Sequence, residues 1–182
     1  MSQLKVNSII PVAGVPTGGG GGIVQIKQTV KTDTASTSSS SFVDFGPTVT
    51  ITPTSSSSKI LISFTLVGSS GNANYSYASI LARGGTGVGV GDSAGSRIPT
   101  STVIDSYGHG SLSYIQTSFQ FLDSPATTSA TTYSIQFKRS KGAAGTFYLG
   151  RNETDLDNPE SGRFPTIITA MEVSAWLLLC II

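Results

Sequence analysis

From Ile23 onward, apolar and polar residues alternate in short runs punctuated by Ser, Thr, Gly and Pro. Successive side chains of a strand point to opposite faces, so each run confines an apolar set to one side of a sheet. The clearest is SKILISFTLVG, where Ile60, Ile62, Phe64 and Leu66 face one way and Leu61, Ser63, Thr65 and Val67 the other. TTYSIQFKRS turns Tyr133, Ile135 and Phe137 inward and Lys138 outward, and SLSYIQTSFQFLD groups Ile115, Phe119 and Phe121. IVQIKQTVK places Val24, Ile26 and Val30 on a half-buried face, with Lys27 and Lys31 outward as on an edge strand. PTVTITPT, delimited by Pro47 and Pro53, together with NANYSYASILAR, GTFYLGR and PTIITAMEVSA, supplies further strands. TDTASTSSSS reads as a turn-rich loop. No window has the i, i+3, i+4, i+7 spacing and caps of a helix, and no internal repeat is evident. Eight or nine short strands joined by turns predict an all-β chain, an antiparallel β-sandwich or jelly roll.

Five consecutive glycines at positions 18–22 set this domain apart from what precedes it. The segment LKVNSIIPVAGVPT carries Leu4, Val6, Ile9, Ile10, Val12 and Val15 but is too short to close a core. A glycine tether suits an apolar peptide that finds its partner elsewhere. The expected organisation is an extended anchoring arm and tether over residues 1–22 and a β-sandwich domain over residues 23–182.

Charged residues make up only 12% of the 182 positions and the net charge is +1. That is about half the usual charged share, and no basic stripe exists for phosphate-dominated binding, so nucleic acid is not an expected partner. Lys5 is the sole early charge and polar residues interrupt every early apolar run, so no signal peptide is expected. The run WLLLCII is apolar throughout but only seven residues long. Spanning a bilayer takes roughly 20, so membrane insertion is not expected. It reads as a final buried strand or as a subunit contact, with Trp176 and Leu178 on one face. Cys180 is the only cysteine, so no intrachain disulfide forms.

Candidate chemistry is sparse. His109 is the only histidine, and the G-x-S-x-G elbow of a serine hydrolase is missing. An exposed loop histidine is the plain reading; a metal ion held by three copies of His109 on a trimer axis is the alternative. The glycine-rich stretch at 84–97 lacks the Gly-Lys-Ser/Thr of a phosphate loop, and no lysine lies between Lys59 and Lys138. It reads as a long, solvent-facing excursion at one end of the sheet. Glu153, Asp155, Asp157 and Glu160 share one loop, but their spacing fits no EF-hand, so a solvated acidic loop is expected. Asn74 and Asn152 head acceptor triplets for glycosylation, which matter only in a secretory setting. No enzyme activity, cofactor or metal is expected. Tyr75, Tyr77, Tyr107 and Tyr114 lie near the glycine-rich excursion and suit either adaptable contacts or sheet packing, Tyr114 more the latter.

LKVNSIIPVAGVPTGGGGGIVQ, KQTVKTDTAST, ITPTSSSSKILISF, GDSAGSR, FLDSPATTSATTYSIQFK and TIITAMEVSA, taken together over residues 2–175, resemble small virion proteins of tailed bacteriophages. The likeness is to marine and cyanobacterial phage proteins in particular, and WLLLCII departs from the group. The resemblance implies a virion location, assembly in the host cytoplasm with other tail or capsid proteins, and a trimeric tail fibre or receptor-binding module. A capsid decoration protein or head fibre, gripping the shell through the same arm, is the alternative. A glycan-degrading enzyme would need long β-helical repeats and paired carboxylates, which the chain lacks. If the head meets a host-surface glycan, the expected contact lies on the loops at 84–97 and 107–110, with Arg97, Tyr107 and His109 as the contacting residues.

Overall fold

The computed structural model of the protein describes residues 22–70, 75–105, 112–141 and 145–174. The arm residues Leu4, Val6, Ile9, Ile10, Val12 and Val15 lie outside this set, as do Tyr107, His109, Trp176 and Leu178. The elements are all strands: β1 (Ile23–Lys31), β2 (Ala35–Thr37), β3 (Val43–Ile51), β4 (Lys59–Ser69), β5 (Ser76–Arg83), β6 (Thr86–Val88), β7 (Thr102–Asp105), β8 (Ile115–Asp123), β9 (Thr131–Lys141), β10 (Phe147–Leu149) and β11 (Thr166–Val173).

They form two antiparallel sheets. In the first, β1, β11, β4 and β8 lie side by side, and β10 continues along the end of β4 to reach β2. In the second, β3, β9 and β5 lie side by side, and β6 and β7 share the far edge of β5. The chain passes between the sheets from β1 to β3, β3 to β4, β4 to β5, β7 to β8, β8 to β9 and β9 to β11, which is the jelly-roll path. Three short strands, β2, β6 and β10, are additions to its eight.

The alternation does what it predicts at the core. Ile60, Ile62, Phe64 and Leu66 of β4 oppose Tyr133, Ile135 and Phe137 of β9, with Tyr77 and Leu81 of β5 beside them, all buried. Burying each such side chain contributes about 1.5–3 kcal/mol. Phe147 stacks on Phe137 with centroids 5.0 Å apart and lies against Tyr77 at 5.4 Å. A Cβ on Gly68 would collide with the Phe147 ring, so β4 carries its glycine where that ring needs the room.

Three readings change. Pro47 does not bound a strand; it sits inside β3 at the register shift between Asp44 and Thr48, where a missing donor is tolerated. The serine-rich loop contains β2, drawn in by pairing with β10. The glycine-rich excursion opens with a hairpin: Gly84 and Gly85, both at positive φ, turn β5 into β6.

The sandwich has two distinct ends. At one, Gly22 and Ser174 are hydrogen-bonded through both backbone and the Ser174 hydroxyl, with the β3–β4, β5–β6 and β8–β9 turns around them. At the other lie the β1–β3, β4–β5, β7–β8 and β9–β11 connections. Two carboxylates reinforce the first end. The Asp123 carboxylate accepts from Arg83 Nη1 and from the Tyr133 hydroxyl, each at 2.7 Å, joining the sheets. Burial, and then the Asp123 hydrogen bond, push the Tyr133 phenol well above its ordinary range. Glu172 is fully buried and accepts from Gln25 Nε2, the Thr54 backbone N–H and the Thr54 hydroxyl, all at 2.7 Å.

Candidate interaction surface

The outward face of the first sheet carries the main surprise. Partner residues across antiparallel strands share a face, so the register can be read straight across the sheet. Ile26 pairs with Met171, Met171 with Leu61 and Leu61 with Leu122: four apolar side chains in a row over β1, β11, β4 and β8. The next row along the strands, Gln28, Thr169, Ser63 and Gln120, is polar, and Gln28 Nε2 donates to Thr169 Oγ1 at 3.0 Å. Beyond it lie Val30, Ile167, Thr65 and Ser118. Ile23, opposite Val173, completes an apolar corner beside Gly22.

The exposures are large for such side chains: Ile23 60%, Ile26 56%, Val30 48% and Leu122 52%. The expectation for β1 is therefore inverted. Its residues sort onto the two faces that the alternation gives, but Ile26 and Val30 face solvent. Lys27 shares the inward face with buried Ala170, and Lys31 with buried Thr166. The cause lies at the edge of the sandwich. The inward side of β1 is met by polar partners rather than core: Gln25 donates to Thr52 O and to Glu172 at 2.7 Å, and Lys31 pairs with Asp33. A bulge between Ile23 and Gln25 sets that register.

Other exposed apolar side chains, Val90, Val103, Leu112 and Leu156, fall singly on separate strands and connections and need no explanation. The row on the first sheet is contiguous, which is the property of an interaction surface. Sequence reasoning missed Ile26, Leu61, Met171 and Leu122 as a unit because each lies on a different strand. Only the register aligns them. Signals were present in Leu61, which with Val67 interrupts the polar face of β4, and in Leu122, which breaks the rhythm of FQFLD.

Arg97 is exposed on the excursion, where its Nη1 donates to Ala94 O at 3.3 Å within its own turn. The stretches expected to form one contact loop spring from opposite ends of β5. Gly84 follows Arg83, whereas the 106–111 connection follows Asp105, which pairs with Ser76. The excursion is also tied down more than a solvent-facing loop would be. Thr100 Oγ1 donates to Ser79 O at 2.7 Å, and a Cβ on Gly89, at φ +61°, would lie 2.7 Å from Phe121 and 3.2 Å from Phe119. Of the tyrosines, Tyr77 belongs to the core, where burial pushes its phenol up to about 12. Tyr114 packs edge-on against Phe164 at 4.9 Å, accepts from Asn152 Nδ2 and Gly162 N–H, and lies at the far end from Gly84.

The acidic loop is an ordered turn about Asn152 and Asp155. Asn152 is buried; its Oδ1 accepts from the Asp155 N–H at 2.7 Å, and its Nδ2 is spent on Tyr114. Asp155 is held by Arg163 at 2.7 Å and faces Arg151 at 3.8 Å, so two guanidiniums occupy the position a cation would take. Among the described residues no group of three His, Cys, Asp or Glu is placed to hold a metal ion, and no helix is long and apolar enough to cross a membrane. A shallow depression lined by Ser63, Thr65, Ser118 and Gln120 offers hydrogen bonds but no titratable group.

No family model matches the chain, and no curated protein does. Among solved structures, a chain of T=1 particles derived from infectious bursal virus superposes with a TM-score of 0.42 at 11% identity, over 82% of this chain and 37% of that one. A chain of infectious bursal disease virus, Gx strain, gives a TM-score of 0.40 at 12% identity, over 82% of this chain and 38% of that one. The present chain thus spans well under half the length of either.

Proposed function

We propose that this protein is a structural component of a tailed-phage virion: a trimeric tail fibre or receptor-binding module held to the particle by its N-terminal arm. The carrying observation is the pairing of Gly22 with Ser174 at one end of the jelly roll, so the chain enters the head after the glycine run and leaves it before the apolar run 176–182 at neighbouring points. A head held at that end presents its other end to the surroundings. Tyr107 and His109 belong to the β7–β8 connection, which starts from that outer end after Asp105. The low charge and the Ser, Thr and Gly content suit short-range hydrogen bonding to a host-surface glycan. The reading assigns the protein no catalytic role. The resemblance over residues 2–175 points to the same class of protein.

The arm is the direct test. Removing residues 2–17 is expected to leave a folded β domain that is absent from purified particles; virions carrying the truncated protein at wild-type copy number would overturn the anchoring role. Locating the head in density of the intact particle separates a tail fibre from the alternative, a capsid decoration protein or head fibre. Replacing Arg97, Tyr107 and His109 together by alanine tests recognition. Adsorption should fall at least about tenfold, on the scale of one or two lost polar contacts; unchanged adsorption, with the variant present on the particle, favours the decoration role.

A further inference from the structure

The apolar row Ile26–Met171–Leu61–Leu122 lies beside the end of β11, from which the chain continues into the apolar run WLLLCII. We propose that the row is the acceptor for residues 176–182 of a second copy of this chain, so that each head receives the apolar segment of its neighbour. The inference rests on the self-association proposed above and names the surface that carries it.

Why a neighbour's segment rather than the chain's own follows from the end of β11. Both strands flanking β11 run out where it does: Val173 is opposite Ile23 on one side and Lys59 on the other. Among the described residues, the pairing of β11 therefore ends at Val173 on both sides. Folding back onto the row would require a tight reversal at Ser174, which is the only turn-favouring residue from Val173 to Ile182. The Ser174 N–H and hydroxyl are already engaged with Gly22. An extended continuation of β11 would carry the apolar residues away from their own head.

The dimensions agree. Seven residues extend up to about 24 Å, and four strands at their ordinary spacing place β1 about 14 Å from β8. Trp176 and Leu178 would cover the row while Leu177 and Leu179 face the equivalent segments of other copies, since the run is apolar on both faces. Passing a segment from each head to the next is a heterologous contact, which closes as a ring when the rotation allows.

Cys180, the only cysteine, provides the probe. A spin label on Cys180 of unlabelled protein is mixed with methyl-labelled protein carrying Cys180→Ser. The methyl signals of Leu61, Leu122 and Met171 should be lost, while those of core Leu66 and Leu149 persist. Light scattering should give a multiple of 18.8 kDa that drops to one chain in Leu122→Asp, a substitution at a half-exposed site that leaves the fold intact. An oligomer whose row methyls stay sharp overturns the assignment but spares self-association. A mass of 18.8 kDa at micromolar concentration overturns both. Broadening only when label and methyls share one chain gives the row to the chain's own segment and overturns the proposal. Loss of the oligomer on removing residues 1–17, but not 175–182, gives the row to the arm and overturns it likewise.

Discussion

The two edge strands of the first sheet, β8 and β1, solve the same problem in opposite ways. β8 turns Phe119 and Phe121 inward and Gln116, Ser118, Gln120 and a single apolar residue, Leu122, outward, and the chain itself covers the rings by laying Gly89 against them. β1 turns Gln25, Lys27, Thr29 and Lys31 inward and Ile26 and Val30 outward, and nothing among the described residues covers the apolar side. One edge is finished by packing within the chain. The other is held from within by hydrogen bonds and left apolar toward whatever lies outside. An edge strand that shows isoleucine and valine to water is an unusual risk for a lone domain; in an assembly it is an interface.

If β8 is sealed by its rings, truncating one should cost folding stability directly. Phe121→Ala is expected to lower unfolding free energy by about 3 kcal/mol, the low end for phenylalanine because the ring is partly exposed. Chemical denaturation would show it, and a loss below about 1 kcal/mol would mean that the Gly89 segment does not lean on β8. Gly89→Ala tests the same seal from the loop side. Positive φ and the approach of two rings both oppose a Cβ there, so about 2 kcal/mol is expected. A neutral outcome would show that the excursion lies free of the rings.

For β1 the counterpart is Glu172. Burial alone would raise its pKa, but hydrogen bonds from Gln25, Thr54 and Ser58 outweigh that and hold the carboxyl below its ordinary value near 4.5. A depressed folded pKa gives stability that is present above the unfolded value and is lost as pH falls through the folded one. The protein should therefore lose stability below about pH 4.5 partly through this group. Glu172→Gln, which keeps the shape but loses the charge, should cost about 1.5 kcal/mol at neutral pH and shallow the acid limb of the denaturation curve. An unchanged acid limb would show that the hydrogen bonds do not depend on the charge.

The sequence announces the inside of this protein far better than its outside. Alternation identifies Ile60, Ile62, Phe64, Tyr133, Ile135 and Phe137 as core because a buried face is one strand's private matter, decided by period alone. The jelly-roll class follows from the number and shortness of such strands. The orientation of β1 does not, because its two faces are equally well formed and only the neighbouring β3 edge and the Gln25–Glu172 contact decide which turns inward. β2 and β6 escape notice because three residues in serine- or glycine-rich surroundings carry no period; their partners β10 and β5 create them. The apolar row is harder still, since its four members lie on four strands and meet only through register.

The smallest effect is the most telling. Ile26→Ser with Val30→Ser removes the exposed apolar face of β1 without touching the core, because both side chains are about half exposed and their backbone pairing with β11 is kept. Surface substitutions of this kind change folding stability by no more than about 0.5 kcal/mol, and some loss of strand preference falls within that range. Measured on protein diluted until single chains predominate, the double variant should unfold at nearly the wild-type denaturant concentration. A loss of about 2 kcal/mol or more would mean that Ile26 and Val30 are buried by the chain itself, which would erase the contrast with β8. A neutral result, joined to weakened self-association at higher concentration, would place the value of these side chains between molecules, where a two-faced edge strand has its use.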